Sequence, residues 1–238
     1  MKSYNHIPRW EVVDYNARAE MSPQCYYDAI AAQFDDVYNH TGAFAEGDWP
    51  KVSSEINSLT EILVGLTPQH VDDLGCGTGF WSSLVARKAS TITLYDCSTN
   101  MMRIAEHKIA ALAPNVNINT HACNIMDQSF SLLMPHSDLA ILAFVLSHYP
   151  TTESVDLIKR LSRQSRALLI VDSTKLQWKE PDHFVLKRHR VGETWISVRK
   201  RYPTMQQWMS LFQASDIRIG RLISTKRFFA VLSVTEGI

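Results

Sequence analysis

From residue 71 onward, short runs of apolar residues alternate with segments whose apolar positions recur every three to four residues. The runs have the length of buried strands, and the segments between them have the period of amphipathic helices. The predicted strands are 71–74, 91–96, 116–121, 138–145 and 167–172, and the predicted helices are 79–88, 98–113 and 154–161. This alternation predicts an α/β fold with a parallel sheet and helices on both faces.

The pattern differs on either side of this core. The first 20 or so residues show no clear periodicity, which predicts a loosely held arm, and Ser22-Pro23 predicts the start of a helix over 23–39. A second helix ends before Pro68. After residue 172, two β-rich segments predict a hairpin within 184–202, followed by a helix over 205–214 that begins with a T-x-x-Q capping box. Two last strands, near 216–224 and 226–234, are joined by so short a link that we expect them to be antiparallel.

Composition narrows the classes of function. Lys and Arg together equal Asp and Glu at 24 each, so no net basic field attracts nucleic acid or an anionic membrane. The longest apolar run, 139–146, is too short to span a bilayer, and the first residues lack the apolar region of a signal peptide. We therefore expect a cytoplasmic protein. The cysteines form no C-x-x-C pair, which favours reduced thiols over disulfides or a zinc site.

The most distinctive stretch is VDDLGCGTGF, residues 71–80, which places a glycine loop between a predicted strand and a predicted helix. Ligands of open α/β sheets bind at this end of the strands. Phe80 stands where a dinucleotide fingerprint has its last glycine, and the Gly-Lys-Ser/Thr ending of a phosphate loop is absent. Asp73 suits an amino group, and Asp96, which ends the next strand, suits the hydroxyls of a ribose. A ligand with an adenosine and an ammonium but no phosphates fits S-adenosylmethionine.

Together, VDDLGCGTGFW and LYDCSTNMM resemble the first two motifs of class I S-adenosylmethionine-dependent methyltransferases, and the resemblance covers roughly residues 70–235. It implies a Rossmann-like, seven-stranded, mostly parallel sheet with an antiparallel last strand and helices on both faces. The chain would then divide into an N-terminal arm and helical lid, 1–66, and a methyltransferase core, 67–238, with a hairpin insertion at about 176–203. The implied cofactor is S-adenosylmethionine, and no metal is implied.

The resemblance assigns the methionine and ribose contacts to the first two motifs. Gly75, Gly77 and Gly79 would line the methionine part of the cofactor. Asp73 would lie near its amino group, unless the register of the strand places Asp72 there instead. Asp96 would hold the ribose hydroxyls.

The adenine and the far side of the methionine would be contacted by later residues. Cys97 and Met101 or Met102 would pack on the adenine, although a methionine at a helix start is also a common core residue. Asn124 would accept from the adenine amine, at a position where the family usually has an aspartate. Ala143, in LAFVLSHYP, would contact the methionine end.

His148 is the candidate on the acceptor side, and Tyr27 is a candidate cofactor contact from the lid. His148 follows the central strand at the mouth of the site, where a general base would stand, and its alternative role is a hydrogen bond at a strand end. Tyr27 lies in YYDAIAAQFDDVY, a segment similar to the lid helix of many small-molecule methyltransferases, where a tyrosine covers the methionine carboxylate. Its alternative role is aromatic packing.

The acceptor is expected to be a small molecule, an aromatic or polyketide-like metabolite, since an early lid and a late hairpin would close an apolar pocket. Aromatic residues available to line it are Phe44, Trp49, Phe144, Tyr149, Trp178 and Trp195. The alternatives are an RNA or tRNA methyltransferase, although the N/D-P-P-Y/F and Pro-Cys signatures of base-modifying enzymes are absent, and a cofactor-binding protein that transfers no methyl group. Whether the protein forms a homodimer is left open by the sequence.

The one local basic feature is the cluster at 187–190 and 199–201 in the predicted hairpin. Alternate residues of a strand share a face, so two or three of these cations could converge. An anionic acceptor, an RNA backbone and a solvated edge hairpin protected by charge are all compatible with the pattern.

Overall fold

The computed structural model describes residues 10–13, 22–39, 49–127, 130, 136–174, 184–191 and 194–234. The turn expected at 192–193 and the pocket residues Phe44 and Trp178 lie outside the described residues. The same holds for the side chains of Trp49, Trp195 and residues 187–190.

A seven-stranded sheet is the centre of the described fold. Its strands are β2 (His70–Leu74), β3 (Thr91–Asp96), β4 (Asn117–Ala122), β5 (Leu139–Ala143), β6 (Ala167–Ser173), β9 (Ile219–Ser224) and β10 (Phe228–Val234). They lie in the order β4-β3-β2-β5-β6-β10-β9. Strands β2 to β6 are parallel, whereas β10 runs antiparallel to both β6 and β9. The predicted fold class, mostly parallel with an antiparallel last strand, is confirmed.

Helices cover both faces of this sheet. They are α1 (Pro23–Ile30), α2 (Asp36–Asn39), α3 (Trp49–Leu59), α4 (Phe80–Val85), α5 (Thr99–Leu112), α6 (Thr151–Ser162) and α7 (Met205–Ala214). Alternate strand residues face opposite ways. Ile92 and Ile141 therefore pack in a core cluster with α3, α4 and α5, whereas Leu142 and Ile170 pack with α6 and α7.

Three of the helices begin at side-chain caps. The hydroxyls of Ser22 and Ser98 accept from backbone N–H groups three residues on, at 3.2 and 3.1 Å. Thr204 and Gln207 form the reciprocal bonds of the predicted capping box. Each cap satisfies donors that the first turn of a helix leaves unpaired, which explains why these helices start where they do.

Two predictions for the N-terminal segment are wrong. Residues 10–13 are not part of a loose arm, because β1 (Trp10–Val13) pairs antiparallel with β7 (Phe184–Val191). A strand this short shows no period of its own and depends on a partner far away in sequence. The helix expected over 23–39 is broken into α1, a 3-10 turn at 31–33 and α2. The break lies beside Asp35, whose contacts with the core override local helix propensity.

The predicted hairpin is formed by β7 and β8 (Thr194–Arg201), which extend β1 into a second sheet of order β1-β7-β8. Ile196 and Val198 of β8 are buried in one cluster with Tyr26 and Ile30 of α1 and Met101 of α5. The hairpin is therefore packed against the N-terminal helix and the core, near the carboxyl ends of the parallel strands.

Candidate cofactor and acceptor site

The glycine loop follows β2 and precedes α4. Gly75, Gly77 and Gly79 have φ of +68°, +52° and +73°, a region that side chains disfavour. A Cβ atom at Gly75 would lie 2.5 Å from Cγ2 of Val145, whereas at Gly77 the nearest atom is 3.9 Å away, on Phe34. Gly75 therefore allows the loop to approach the turn after β5 closely, and Gly77 presents a bare backbone to the space in front of it.

Asp96, at the end of β3, is 7% exposed and accepts from two backbone N–H groups. Gly77 N donates to Oδ2 and Ser98 N donates to Oδ1, each at 2.8 Å. Burial raises the pKa of Asp96, and these backbone bonds oppose the shift. Cys97 adds hydrogen bonding to the same carboxylate. A carboxylate offers about four lone-pair positions, so Asp96 can still accept from a ligand.

Asp73 is 1% exposed, and its Oδ2 has no hydrogen-bond partner. Burial raises its pKa to about 7, hydrogen bonding from Ser82 opposes the shift, and the neighbouring Asp96 adds to it. Asp72 points to the other face of the sheet, because successive strand residues alternate. A buried carboxylate with an unsatisfied oxygen is costly unless a ligand completes it, and an ammonium group would do so.

A cleft of about 830 Å³, partly open to solvent, lies in front of these groups. Nine of the eleven predicted site residues line it: Tyr27, Asp73, Gly75, Gly77, Asp96, Cys97, Asn124, Ala143 and His148. The strand ends, the glycine loop and helix α1 thus converge on one cavity.

Gly79 and Met101 are not among the lining residues. A Cβ atom at Gly79 would lie 2.8 Å from Cβ of Ala105, so this glycine allows α4 and α5 to approach closely. Met101 is fully buried in the cluster beneath α1. Packing accounts for both residues in the described structure, and their contacts with a cofactor stay predictions.

Asn124 lies at the rim of the cleft and is exposed. Its Oδ1 accepts from the backbone N–H of Met126 at 3.1 Å, which fixes the turn after β4. The same oxygen retains a second lone pair for an adenine amine.

Helix α1 and the turn after it are fastened to the core by two aspartates. Asp28 accepts from the hydroxyl of Ser98 at 2.5 Å, at the N-terminus of α5. Asp35 accepts from the hydroxyl of Thr78 at 2.5 Å and pairs with Lys108 of α5 at 2.7 Å. The N-terminal segment is therefore docked onto the glycine loop and covers one side of the cleft.

Three aromatic residues that the sequence analysis did not assign to the site also line the cleft. Phe34 and Tyr38 come from the docked segment and Phe80 from α4, and the rings of Tyr38 and Phe80 are stacked with centroids 4.2 Å apart. Tyr27, Phe34 and Tyr38 are spaced by seven and four residues, which is one face of a helix, and this spacing was the available signal. No pattern in the sequence indicated a role for Thr78, because its contact is with Asp35, a residue distant in the chain.

Tyr27 and His148 are hydrogen-bonded to each other. The Tyr27 hydroxyl lies 2.8 Å from Nε2 of His148, and Nδ1 of His148 lies 2.7 Å from the backbone carbonyl oxygen of Arg199 in β8. A carbonyl oxygen can only accept, so Nδ1 carries a hydrogen and Nε2 of the neutral ring accepts from Tyr27. The lid helix and the hairpin thus hold the histidine from both sides.

Phe144, which follows β5, has φ of +61°, a strained backbone conformation for a residue with a side chain. Its ring lines the cleft and packs edge-on against Phe228, with centroids 5.7 Å apart. Non-glycine residues in this conformation cluster at functional sites. The turn at Phe144 ends β5 two residues before the predicted end at 145 and directs the chain toward His148.

Residues 71–167 match the family model of a methyltransferase domain. Over 144 residues the chain is 29% identical to the chloroplastic magnesium protoporphyrin IX methyltransferase of Arabidopsis thaliana. That match spans 60% of this chain and 44% of the relative, less than half of the relative's length.

Solved structures share the fold. A complex of DhpI with S-adenosylhomocysteine superposes with a TM-score of 0.67 at 18% identity, covering 89% of this chain and 94% of that one. The magnesium protoporphyrin IX methyltransferase of Synechocystis PCC 6803 with bound S-adenosylhomocysteine gives 0.64 at 17% identity, covering 90% and 97%.

The resemblance found in the glycine loop is confirmed for residues 71–167, which match a methyltransferase domain. The described chain shares its fold with methyltransferase structures that hold S-adenosylhomocysteine or S-adenosylmethionine. Within the described part of the chain, the helices are all too short or too polar to cross a membrane.

Proposed function

We propose that the protein transfers the methyl group of S-adenosylmethionine to a small molecule, an aromatic or polyketide-like metabolite, with Tyr27 and His148 on the acceptor side. The observation that carries this proposal is the Tyr27–His148 hydrogen bond inside the cleft that also contains Asp73, Gly77 and Asp96. The magnesium protoporphyrin IX methyltransferases to which the chain is similar are named for a small-molecule substrate, which supports an acceptor of that kind.

The residues of the cleft fit the cofactor. When bound, S-adenosylmethionine supplies a methyl group already activated by a positively charged sulfur. Asp73 holds an unpaired buried oxygen for the amino group, and Asp96 has free lone pairs for the ribose hydroxyls. Gly77 lets the backbone come close to the ligand, and Cys97 and Ala143 line the same wall of the cleft. Positioning by these groups supplies much of the rate.

Tyr27 and His148 provide a path for the acceptor's proton. Since the Tyr27 hydroxyl already occupies Nε2 of His148, the acceptor hydroxyl donates to the Tyr27 oxygen while the proton of Tyr27 passes to Nε2. The carbonyl of Arg199 holds the ring in the tautomer in which Nε2 is the acceptor atom. One proton thus leaves the acceptor and one arrives on His148, which acts as a general base through the tyrosine.

The burial of Lys200 and Arg201 in the hairpin supports a small-molecule acceptor over RNA. Lys200 is 6% exposed and Arg201 is 2% exposed. Arg201 donates to the hydroxyls of Thr151 and Ser154 at 2.6 and 3.3 Å, and it lies over the ring of Trp208. Cations buried this deeply are out of reach of the phosphate backbone of an RNA. For these two positions the solvated edge hairpin is wrong, because β8 is covered by other elements.

The deciding experiment measures formation of S-adenosylhomocysteine from S-adenosylmethionine with three sets of acceptors: aromatic metabolites, aliphatic metabolites and transfer RNA. The proposal expects turnover with members of the aromatic set, reduced by Tyr27→Phe and His148→Ala. Turnover with transfer RNA alone would establish the RNA alternative. Binding of the cofactor with no turnover on any set would establish a binding protein.

The lid at 1–66, the core at 67–238 and the cytoplasmic location stay predictions within this proposal. The docking of residues 22–39 onto the glycine loop supports the lid, because it closes one side of the cleft.

A further inference from the structure

Lys200 of β8 is an ammonium group buried beside the cleft. Its side chain is 8% exposed, and its Nζ atom lies 5.5 Å from the ring centroids of both Phe144 and Tyr202. Cations are attracted to aromatic faces at this distance. Phe144 lines the cleft, so the ammonium is one aromatic ring away from the site.

The N–H donors of the Lys200 ammonium are not used in hydrogen bonds to the described residues. The nearest carboxylate oxygen, Oδ1 of Asp172, is 3.9 Å from Nζ, too far for a hydrogen bond. Asp172 instead accepts from the backbone N–H groups of Ser147 and Ser173, at 3.0 and 2.7 Å. Among the described residues, Lys200 has the ion pair and the two rings but no hydrogen bond. An ammonium carries three N–H donors, and leaving them all unused in a buried position is costly.

The neighbours of Lys200 place it on the acceptor side. The preceding residue, Arg199, holds the ring of His148 through its carbonyl oxygen. Asp172, beside the ammonium, is bonded to Ser147, the residue before His148. Lys200 therefore lies at the carboxyl ends of β5 and β6, where ligands of such sheets bind. Burial lowers its pKa and Asp172 opposes the shift, so a second negative group would restore the charged form.

We propose that Lys200 is the anion-binding residue of the acceptor site, and that the acceptor is an aromatic molecule whose carboxylate hydrogen-bonds to the Lys200 ammonium. The rings of Phe144 and Tyr202 flank the same ammonium and provide apolar surface for the aromatic part. Lys200 then determines the specificity for an anionic acceptor, while Tyr27 and His148 receive the acceptor's proton. This inference rests on the proposed function, since it assigns the acceptor end of the same site.

The test is calorimetric binding to the protein saturated with S-adenosylhomocysteine, using benzoate, 2-naphthoate and 4-biphenylcarboxylate, each paired with its neutral primary amide. The wild-type protein is expected to bind at least one carboxylate about tenfold or more tightly than its amide. Lys200→Met should abolish that preference, and Lys200→Arg, which keeps the charge, should retain part of it. Lys226→Met, at an exposed lysine in the turn between β9 and β10, should keep it fully.

Equal binding of each carboxylate and its amide by the wild-type protein would overturn the inference, as would failure of every carboxylate to bind. A preference that survives in Lys200→Met would overturn it too. If Lys200→Met shows no cooperative melting transition, the variant is not folded and its binding data are not used. The inference is then tested by the carboxylate–amide pairs on the wild-type protein and on Lys200→Arg. Methyl transfer to neutral acceptors without an anion preference would refute the inference and leave the proposed function intact. An anion preference without methyl transfer to any acceptor would refute the proposed function and leave the inference intact.

Discussion

The hydroxyl of Tyr27 lies 2.8 Å from Nε2 of His148, although the two residues are 121 positions apart in the chain. The contact exists only because helix α1 is docked on the core, and both side chains line the cleft. A histidine after a strand end and a tyrosine on α1 thereby form one hydrogen-bonded pair, the unit that we propose carries the acceptor's proton.

Removing either member of this unit should lower the maximal rate by ~10²–10⁴-fold while leaving cofactor affinity nearly unchanged. Tyr27→Phe and His148→Ala should have similar effects, because the proton passes through both. A nearly active Tyr27→Phe variant would mean that the acceptor donates directly to His148. A loss under about tenfold in both variants would leave positioning as the mechanism.

Asp96→Ala should weaken binding of S-adenosylmethionine by about 1.5–3 kcal/mol, because hydrogen bonds to a charged acceptor are lost. Gly77 and Ser98 also lose the carboxylate that holds their N–H groups, so the loop becomes less ordered. Calorimetry measures the change, and Asp156→Ala, at an exposed position on α6, is the control. Unchanged affinity in Asp96→Ala would place the ribose elsewhere.

Asp73 should make cofactor binding depend on pH. Its pKa of about 7 means that the carboxyl is largely protonated below neutrality, whereas an ammonium ligand requires the ionised form. Affinity should therefore rise with pH up to about 7 and then level off, and Asp73→Asn should bind weakly at every pH. Asp72→Asn is the matched control, since Asp72 is also buried but faces the other side of the sheet. A pH profile that does not change in Asp73→Asn would exclude this carboxylate as the amino-group partner.

The raised pKa of Asp73 also affects the free energy of unfolding. A carboxyl whose folded-state pKa is raised stabilises the fold only while protonated, and that stability is lost as pH rises from about 4 through about 7. Without cofactor, Asp73→Asn should consequently melt at a higher temperature than the wild type at pH 8, with a smaller difference at pH 5. A stability cost at a binding residue is expected where a ligand completes the site.

The sheet was predictable because buried strands are apolar runs of characteristic length, and the predicted strands of the core are all found. The end of β5, however, was not predictable from the apolar pattern. Residues 144–145 continue the apolar pattern, but Phe144 turns into a left-handed conformation that an apolar pattern does not reveal. The break in the helix over 23–39 was equally hidden, since its cause is the contact of Asp35 with Thr78 and Lys108.

The site was predictable where it consists of local motifs and not where it depends on packing between distant segments. Asp73, Gly75, Gly77 and Asp96 follow from strand ends in one stretch of sequence. The pairing of Tyr27 with His148 and the burial of Lys200 depend on how α1 and β8 pack, and a run of basic residues in a hairpin is equally typical of a solvated edge.

Docking of the N-terminal segment should weaken when Asp28 or Asp35 is replaced by alanine. Each substitution removes a hydrogen bond to a core hydroxyl, worth about 1 kcal/mol, so the undocked population should rise roughly fivefold. Amide hydrogen exchange in 23–38 should become faster, and turnover should fall because the cleft is closed less of the time. Glu106→Ala, on the exposed side of α5, should change neither. Unchanged exchange in both aspartate variants would show that the apolar contacts of Tyr26 and Ile30 alone hold the segment.

Phe144 offers a test of stored backbone strain. Phe144→Ala removes the ring and keeps a side chain at φ of +61°, whereas Phe144→Gly removes both the ring and the strain. Elsewhere a glycine is less stable than alanine by about 0.4–1 kcal/mol, because the unfolded chain gains freedom. Here relief of about 1–2 kcal/mol of left-handed strain should reverse the order, so Phe144→Gly should be the more stable variant by about 0.5–1 kcal/mol in urea unfolding. Both variants lose the contact with Phe228, so that loss cancels from the comparison. If Phe144→Ala proves the more stable of the two, the turn after β5 carries no strain, and its conformation reflects only the path of the chain toward His148.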